Sequence, residues 1–310
     1  MKFAIFGTGG VGGYFGGRLA QAVQDVTFIA RGRQLSAIQQ AGLKVDSISG
    51  DFVVQPAKAT DSPRSVGTVD VVILAIKAWQ INEAIIEMKP LIGNGTLIVP
   101  LLNGIEHVDL LVNEFGREHV LGGLCRISTY IAEAGYIKHV GIDPFLVFGE
   151  LGGEKSARVQ ELYDIFKTVR GVTAQTSENI ELAMWEKFLF ICSMSGVGAV
   201  TRQPVGGFRS IPESRSMLRR ALEEVVLVAN ARGVELTENS VTSVMERIDQ
   251  IQPDIMASMQ KDIIEGRPSE LDAQTGAIVR MAHEADVSVP THEFIYASLL
   301  PMERKARQFS

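Results

Sequence analysis

Apolar residues in the first half of the chain fall into short runs separated by longer stretches with helical periodicity. Residues 3–6 form the first run, and similar runs lie at residues 26–30, 70–76 and 96–101. Nearly continuous apolar runs rich in β-branched residues are typical of parallel strands buried on both faces. Strands that alternate with helices in this way predict a doubly wound α/β domain of the Rossmann type.

The pattern changes after residue 120. Segments 120–131, 136–140 and 145–148 are strand-like and have no helix between them, which predicts an antiparallel extension of the sheet. A helix over residues 157–169 and a short strand over residues 172–174 complete this half of the chain.

From Ser177 onward the periodicity is helical throughout. We predict helices over residues 181–195, 217–232, 237–251, 270–284 and 291–305, a further helix opened by Pro253, and a glycine-rich loop over residues 196–207. The predicted fold class is α/β, with an N-terminal Rossmann-type doubly wound sheet followed by an all-α C-terminal domain. The expected domains are residues 1–176 and residues 177–310.

Composition and charge exclude several classes of protein. The chain has 310 residues, 46% of them hydrophobic, and a formal net charge of −6, and no basic tract points to nucleic acid. Cys125 and Cys192 are far apart and show no zinc-ligand spacing, so we expect neither a metal nor a disulfide framework. No apolar run approaches the roughly 18 residues of a membrane span, and the first run is too short for a signal peptide. We expect a cytoplasmic protein without a membrane partner, and a homodimer is compatible with the sequence.

The first apolar run leads directly into Gly7-Thr8-Gly9-Gly10-Val11-Gly12 and then into a helix. This is G-x-G-x-x-G between a strand and a helix, the context that a dinucleotide-binding loop requires. The first glycine permits the tight turn, the second lets a pyrophosphate approach the backbone, and the third lets the helix pack closely on the strand. The alternative is a glycine-rich turn without a ligand.

Three polar residues follow predicted strands at the carboxyl ends, where ligands bind in folds of this type. Arg31 follows the second strand, where an arginine accommodates the 2′-phosphate of NADP, and no acidic residue is near it in the sequence. Lys77 and Asn103 follow the next two buried runs. We therefore expect NADP(H) as the cofactor. The alternatives are a solvated loop arginine, a solvated lysine at a helix start and an Asn-Gly turn.

Lys187 lies in a helix whose apolar residues fall on all sides, which is typical of a buried helix. Lysines are almost never fully buried unless they have a partner, so Lys187 is a candidate general acid. The alternative is that its side chain reaches the surface. Glu270 and Asp272 lie in the first turn of a predicted helix, where the helix dipole alone can account for them.

Several motifs follow one another in a defined order: Gly7-x-Gly9-Gly10-x-Gly12, Lys77-Ala78, Asn103-Gly104, Trp185-x-Lys187, Ser258-Met259 with Asp262, Glu270-x-Asp272 and Pro290. Together they resemble the ketopantoate reductase (2-dehydropantoate 2-reductase) family over nearly the whole chain. The resemblance implies NADPH-dependent reduction of 2-dehydropantoate to pantoate, a step of pantothenate and coenzyme A biosynthesis. It also implies that Lys187 acts as general acid on the keto oxygen and that Glu270 and Ser258 bind or orient the substrate.

The residues expected at the site fall into three groups. The catalytic residues are Lys187 and Glu270. The cofactor-binding residues are Gly7, Thr8, Gly9, Gly10, Val11, Gly12, Arg31, Lys77 and Asn103. The residues that bind the 2-keto acid are Asn103, Lys187, Ser195, Ser258 and Glu270.

The sequence departs from the family pattern near these residues. Asparagines usually stand four and eight residues after the catalytic lysine, where this chain has Ile191 and Ser195. A further asparagine usually precedes a glycine after Glu-x-Asp, where this chain has Thr275. Because groups that read a substrate hydroxyl strongly decide specificity, a different 2-keto acid or ketone is an alternative substrate. A non-catalytic NADP(H)-binding sensor is the alternative of another class.

Overall fold

The computed structural model describes residues 1–308, in which the chain forms two compact units. The first unit contains Met1–Leu102 and His107–Ile180. The second contains Asn103–Glu106 together with the chain from Glu181 onward. A segment of four residues inside the sequence of the first unit therefore belongs to the second unit.

All the strands within residues 1–308 lie in the first unit. They are β1 Lys2–Phe6, β2 Asp25–Ile29, β3 Leu43–Ser47, β4 Phe52–Val54, β5 Lys58–Thr60, β6 Val71–Leu74, β7 Leu97–Pro100, β8 Leu121–Arg126, β9 Thr129–Glu133, β10 Tyr136–His139, β11 Phe145–Glu150 and β12 Thr173–Thr176. The helices of this unit are α1 Gly10–Gln21, α2 Gly32–Ala41, α3 Pro63–Val66, α4 Ile81–Met88, α5 His107–Phe115 and α6 Ala157–Thr168.

The central sheet has the strand order β5-β2-β1-β6-β7, and every pair in it is parallel. The order reverses between β1 and β6, so the carboxyl ends of these two strands flank the crevice where doubly wound folds bind ligands. The side chains of β6 and β7 are buried on both faces, as their apolar runs predict. The predicted doubly wound sheet is confirmed.

The strands after residue 120 contribute to two further sheets. The predicted antiparallel pairing is present in each of them, but each also contains a parallel pair, and neither extends the central sheet. One sheet has the order β4-β3-β10-β9, with β10 parallel to β3 and antiparallel to β9. The other has the order β12-β11-β8, with β11 antiparallel to β8 and parallel to β12. The strand pattern predicts extended backbone but not its pairing, because β10 pairs with a strand about ninety residues earlier in the chain.

The second unit is helical, as predicted. Its helices are α7 Ile180–Thr201, α8 Val205–Arg209, α9 Pro212–Ala231, α10 Glu238–Gln250, α11 Ser258–Ile264, α12 Ala277–Glu284 and α13 Pro290–Gln308, with a π-helical turn over Asp272–Gly276 before α12. Ile180, the first residue of α7, belongs to the first unit.

Helix α7 continues through Gly196 and Gly198, where the sequence predicted a loop. A Cβ on Gly198 would lie 2.6 Å from Gln260 Oε1, and one on Gly196 would lie 3.2 Å from Ile295. These glycines therefore allow neighbouring helices to approach α7 closely and do not end it.

Pro253 does not open a helix, and α11 begins at Ser258. The backbone N–H groups of Val205 and Gly206 donate to the carbonyls of Ile255 and Pro253, both at 2.9 Å. The segment before α11 thus supplies carbonyl acceptors for the first turn of α8. If a helix began at Pro253, these carbonyls would accept hydrogen bonds from their own helix instead.

Each unit has its own hydrophobic core. The first core packs the central strands against α1 and α6 and includes Phe3, Phe15, Phe28 and Phe148. The second core surrounds α7 and includes Trp185, Phe188 and Phe208. Within residues 1–308, no helix is long and apolar enough to cross a membrane.

Candidate active site

The turn after β1 accepts only glycine at two of its positions. Gly7 has a φ of +96°, and a Cβ on it would lie 2.7 Å from the carbonyl oxygen of Ala75. A Cβ on Gly12 would lie 2.1 Å from the Gly7 carbonyl oxygen. The first and third glycines of the motif are therefore required by the turn and by the close packing of α1 on it.

The middle of the loop is open. A Cβ on Gly9 would meet no atom within 4 Å, and no side chain caps the N-terminus of α1, which Gly9 precedes. The first turn of α1 carries no acidic residue. The orphan N–H groups and the positive dipole end of this helix suit a phosphate. The loop thus fits the pyrophosphate of a dinucleotide.

Two further loop positions have defined neighbours. The backbone N–H and the hydroxyl of Thr8 both donate to the carbonyl of Ile29, at 3.2 and 3.0 Å, which ties the loop to the end of β2. A Cβ on Gly10 would lie 2.7 Å from Thr129 Oγ1 of β9. Val11 is partly buried and packs against the first core.

Arg31 precedes α2 and is held by carboxylates from a distant part of the sequence. Its Nη1 donates to Glu83 Oε1 at 2.8 Å, and its Nη2 donates to Glu87. The hydrogen bond to Glu83 is the main cause that raises the pKa of this guanidinium above its usual value. No acidic residue is near Arg31 in the sequence, but the fold brings two glutamates of α4 to it.

Lys77 lies three residues after β6 and is the N-cap of a short 3₁₀ turn, Ala78–Gln80. Its backbone N–H donates to Gln80 Oε1 at 3.1 Å. The side chain is partly buried. Lys77 thus stands beyond the carboxyl end of a strand next to the point where the sheet order reverses, as the sequence predicts.

Asn103 begins the four-residue segment Asn103–Glu106 that belongs to the second unit, which we call the strap. Its Nδ2 donates to Glu270 Oε2 at 2.9 Å. Gly104 has a φ of +98°, and a Cβ on it would lie 2.7 Å from the carbonyl oxygen of Ala273. The asparagine and the glutamate expected at the site are therefore in direct contact, although they are 167 residues apart.

The other end of the strap is held by Arg280 of α12. Arg280 donates to both carboxylate oxygens of Glu106, through Nε at 3.0 Å and Nη2 at 2.6 Å. It also donates to Asp272 Oδ1 at 3.0 Å, and Tyr296 donates to the same oxygen at 2.8 Å. Asp272 thus anchors Arg280, which gives it a structural role in addition to its position near a helix start.

Glu270 itself is almost fully buried, and the preceding residue, Ser269, is held by several hydrogen bonds. The backbone N–H of Ser269 donates to Glu303 at 3.1 Å, and its hydroxyl donates to the same carboxylate at 2.5 Å. Arg307 donates to Glu303 at 2.7 Å and to the Ser269 carbonyl at 3.1 Å. The backbone just before Glu270 is therefore bound to α13, while the Glu270 carboxylate accepts a hydrogen bond from Asn103 of the strap.

Lys187, Ile191 and Ser195 occupy one face of α7. Lys187 is partly buried, and none of the described residues accepts a hydrogen bond from its ammonium. Ser195 is buried and donates its hydroxyl proton to the Ile191 carbonyl of its own helix. Ser258 is exposed at the first position of α11.

Thr275 faces a different side of α7. Its hydroxyl lies beside the Cys192 thiol, and Gly196 is its other close neighbour on this helix. At about 100° per residue, Cys192 and Gly196 point well away from Lys187. Thr275 therefore packs into the second core, where burial raises the pKa of the Cys192 thiol.

Six charged residues that hold candidate site residues were not found from the sequence: Glu83 and Glu87 in the first unit, and Glu106, Arg280, Glu303 and Arg307 in the second. Each acts through a partner far along the chain, so no local motif marks it. The spacing of Glu83 and Glu87 places them on one exposed helix face, which was the only available sign. The described residues hold no cluster of His, Cys, Asp and Glu suited to a metal.

The fold and the glycine loop define a Rossmann-type, dinucleotide-binding oxidoreductase with a second, helical unit. Two family models cover most of the chain: "Ketopantoate reductase PanE/ApbA" matches residues 3–153 and "Ketopantoate reductase PanE/ApbA C terminal" matches residues 179–303. The chain belongs to the ketopantoate reductase family, whose members are oxidoreductases acting on CH–OH groups.

Several individual proteins are similar to nearly the whole chain. An uncharacterized oxidoreductase, YkpB of Bacillus subtilis, is 33% identical, with 96% of this chain and 98% of the relative covered. The crystal structure of a PanE/ApbA family ketopantoate reductase from Ralstonia eutropha has a TM-score of 0.90 at 30% identity, covering 99% of this chain and 100% of that one. D-mandelate dehydrogenase, solved with NADH and anilino(oxo)acetate, shares the fold, with a TM-score of 0.90 at 24% identity over 99% of each chain.

Proposed function

We propose that this protein is an NADPH-dependent reductase of a small 2-keto acid, with ketopantoate as the first candidate substrate. The observation that carries the proposal is Lys187, a partly buried lysine on α7 whose ammonium has no acceptor among residues 1–308. A partly buried lysine that none of the described residues binds can donate a hydrogen bond to a ligand. Reduction of ketopantoate would give pantoate, a precursor in pantothenate synthesis.

Each unit has a proposed task. The first unit binds the dinucleotide, with the pyrophosphate at the open Gly9 position and the N-terminus of α1, and the adenosine phosphate at Arg31. Lys77, beyond β6, is placed at the crevice edge of the same sheet. The second unit, together with the strap, binds the keto acid. When bound, the reduced nicotinamide supplies the hydride.

The residues of the second unit complete the reaction by handling the proton and the substrate. Lys187 donates a proton to the keto oxygen as the carbonyl carbon is reduced, which leaves a hydroxyl group. Glu270 orients the substrate, and Asn103 holds the Glu270 carboxylate at 2.9 Å. A carboxylate accepts hydrogen bonds, and this is the chemistry by which Glu270 would bind a substrate hydroxyl. Ser258 is the proposed further substrate contact at its exposed position.

A different 2-keto acid or ketone is the second candidate substrate, and Ile191 and Ser195 favour it. Ile191 offers no hydrogen bond, and the Ser195 proton is already donated within α7. The helix face beside Lys187 therefore offers fewer hydrogen-bond donors to a substrate than a face with asparagines at these two positions, as in the family pattern. The same fold also serves a D-mandelate dehydrogenase, so the fold alone does not select ketopantoate.

The substrate is tested by following NADPH consumption with ketopantoate and with a panel of other 2-keto acids and ketones. We expect turnover of ketopantoate or of a close analogue. A better substrate elsewhere in the panel would favour the second candidate. Binding of NADPH without turnover of any carbonyl compound would overturn the proposed reductase activity and favour a sensor.

We predict that Lys187→Ala lowers kcat by about 10²- to 10⁴-fold, because the variant lacks the proton donor to the keto oxygen. The dissociation constant of NADPH stays nearly unchanged, since Lys187 is not proposed to hold the cofactor. Steady-state kinetics and a fluorescence titration measure both quantities. Lys305→Ala, at an exposed lysine of the same unit, is the control and should keep full activity. Normal turnover by Lys187→Ala would refute its role.

A further inference from the structure

Two glutamates of α4 occupy the arginine that is proposed to take the 2′-phosphate. Arg31 Nη1 donates to Glu83 at 2.8 Å, and Nη2 donates to Glu87. The two glutamates lie four residues apart on one face of α4, while Ala84, Ile85 and Met88 are buried on the other. Both terminal nitrogens of the guanidinium are thus already bound by carboxylates.

A 2′-phosphate at Arg31 must bind the same guanidinium, whose five N–H donors the two carboxylates use only in part. With a charge of about −1.5 to −2, it either displaces the two carboxylates or joins them around a single cation. The first route breaks two ion pairs, and the second brings like charges together. Both routes cost binding free energy that depends on the phosphate.

The cofactor without this phosphate does not meet the same conflict. Its ribose 2′-hydroxyl is neutral and can donate a hydrogen bond to a carboxylate. An acidic residue near the end of the second strand is the device by which Rossmann folds accept NAD. Here such residues reach Arg31 from α4, 52 and 56 residues further along the chain.

We propose that Glu83 and Glu87 determine cofactor specificity by weakening the recognition of the 2′-phosphate at Arg31, so that the protein uses NADH as well as NADPH with only a shallow preference. This inference rests on the proposed nicotinamide-dependent activity and specifies its cofactor. The negative charges of Glu83 and Glu87 repel the 2′-phosphate, and their hydrogen bonds occupy Arg31. Neither glutamate takes part in the reduction itself.

The size of the effect follows from exposure. The side chains of Arg31, Glu83 and Glu87 are 50%, 59% and 32% exposed, so water and salt screen their charges. Removing two negative charges within a few ångströms of the phosphate should then strengthen NADPH binding by about tenfold at low ionic strength. The gain should shrink on adding about 0.5 M salt, where the screening length is only a few ångströms.

The test is the double variant Glu83→Gln, Glu87→Gln in the full-length protein. Glutamine keeps the size of each side chain and an oxygen that can still accept from Arg31, but it removes the charge. Dissociation constants for NADPH and NADH are measured by the fluorescence of the reduced nicotinamide at low and high salt. We expect about tenfold tighter NADPH at low salt and an NADH constant within about twofold of its original value.

The control is Asp25→Asn, Glu114→Gln, which removes the same number of negative charges from the same unit. Asp25 pairs with Lys58 at 2.7 Å and Glu114 pairs with Lys89 at 2.5 Å, so neither touches Arg31. Asp25 also begins β2, whereas Arg31 follows its end. This variant should leave the ratio of the two dissociation constants unchanged.

The outcomes separate this inference from the proposed function. If the unaltered protein binds NADPH and the glutamine variant keeps the original NADPH-to-NADH ratio, or if the control changes the ratio equally, the role of Glu83 and Glu87 is overturned and the reductase proposal stands. If the unaltered protein binds neither nucleotide, the proposed function is overturned and this inference with it.

Discussion

At the scale of single residues, the same side-chain chemistry has different consequences in different surroundings. Arg31 and Arg33 are two residues apart and both exposed, but Arg31 alone follows the end of β2 and binds α4 carboxylates. Lys187 is a lysine without a protein acceptor among the described residues, whereas Lys58 and Lys89 are ion-paired. These contrasts show that side chains of the same type differ in the partners that the fold gives them.

We predict that Arg31→Ala reverses the cofactor preference. The variant loses the cation and keeps Glu83 and Glu87, whose charges then repel a 2′-phosphate without compensation. The dissociation constant of NADPH should rise by about 10- to 100-fold, while that of NADH changes by less than about threefold. The same fluorescence titration measures both.

Arg33→Ala is the matched control, because Arg33 is an exposed arginine of the same helix α2. It should change neither constant appreciably. An equal weakening of NADPH and NADH by Arg31→Ala would contradict the assignment of Arg31 to the 2′-phosphate.

At the scale of elements, the π-helical turn and the strap form one support for Glu270. The turn Asp272–Gly276 meets the strap at Gly104, and Arg280 joins both through Asp272 and Glu106. Single π turns inside helices are frequent at functional sites, because the extra residue changes the direction of nearby side chains. The ion pairs of Arg280 with Glu106 and Asp272 are partly exposed. Because water weakens each of them, the position of the strap depends on several contacts together.

We predict that Arg280→Met lowers kcat by about tenfold and leaves NADPH binding unchanged. The methionine removes the two hydrogen bonds to Glu106, so the strap and Asn103 lose their fixed position against Glu270. Kinetics that separate kcat from the KM of the keto acid, together with a cofactor titration, measure the effect. Arg280 acts here as a positioning residue.

The control for this variant is Arg215→Met. Arg215 also donates to both oxygens of a carboxylate, that of Asp249, at 2.6 and 2.8 Å, but it joins α9 to α10. It should not alter kcat. Loss of activity in both variants to the same extent would show that Arg280 contributes only to folding of the helical unit.

At the scale of the whole molecule, stability depends on separate cores and on a few buried charges. Glu224 of α9 is one of them, and it accepts hydrogen bonds from the backbone of Thr291 at 2.7 Å and of His292 at 2.9 Å. The His292 ring lies 2.7 Å from the same carboxylate. Burial alone raises the pKa of Glu224, but hydrogen bonds from His292 and Thr291 outweigh it and lower the pKa below 4.5.

A carboxylate whose pKa is lower in the folded state than in the unfolded state adds stability above the unfolded pKa and loses it as the pH falls through the folded value. We therefore predict that Glu224→Gln reduces the free energy of unfolding by about 1–3 kcal/mol at neutral pH. The difference from the unaltered protein should narrow below about pH 4.5, where the carboxylate of the unfolded chain is protonated. Urea unfolding at a series of pH values measures it.

Glu238→Gln is the control for acid stability, because Glu238 is an exposed residue of α10 whose side chain pairs with Arg219. Its effect should be within about 0.5 kcal/mol at every pH. A constant difference between Glu224→Gln and the unaltered protein across the pH range would contradict the role of the ionised carboxylate.

The sequence by itself determined the features that are local in the chain. Apolar runs predicted four of the five strands of the central sheet, all except β5. Helical periodicity predicted the second unit, and the glycine motif predicted the turn after β1. Each of these depends on consecutive residues or on one short period. The same patterns could not show that α7 continues through Gly196 and Gly198, since a glycine that permits close packing looks like one that ends a helix.

Only the tertiary structure decided which distant residues meet. It paired β10 with β3, placed Glu83 and Glu87 on Arg31, and brought Glu270 and Arg280 to a strap 167 and 174 residues earlier in the chain. Such contacts are set by the packing of whole elements and leave no mark in the spacing of neighbouring residues. For this reason the candidate site residues and their chemistry could be predicted from the sequence. The residues that position them or alter their charge environment could be identified only from the fold.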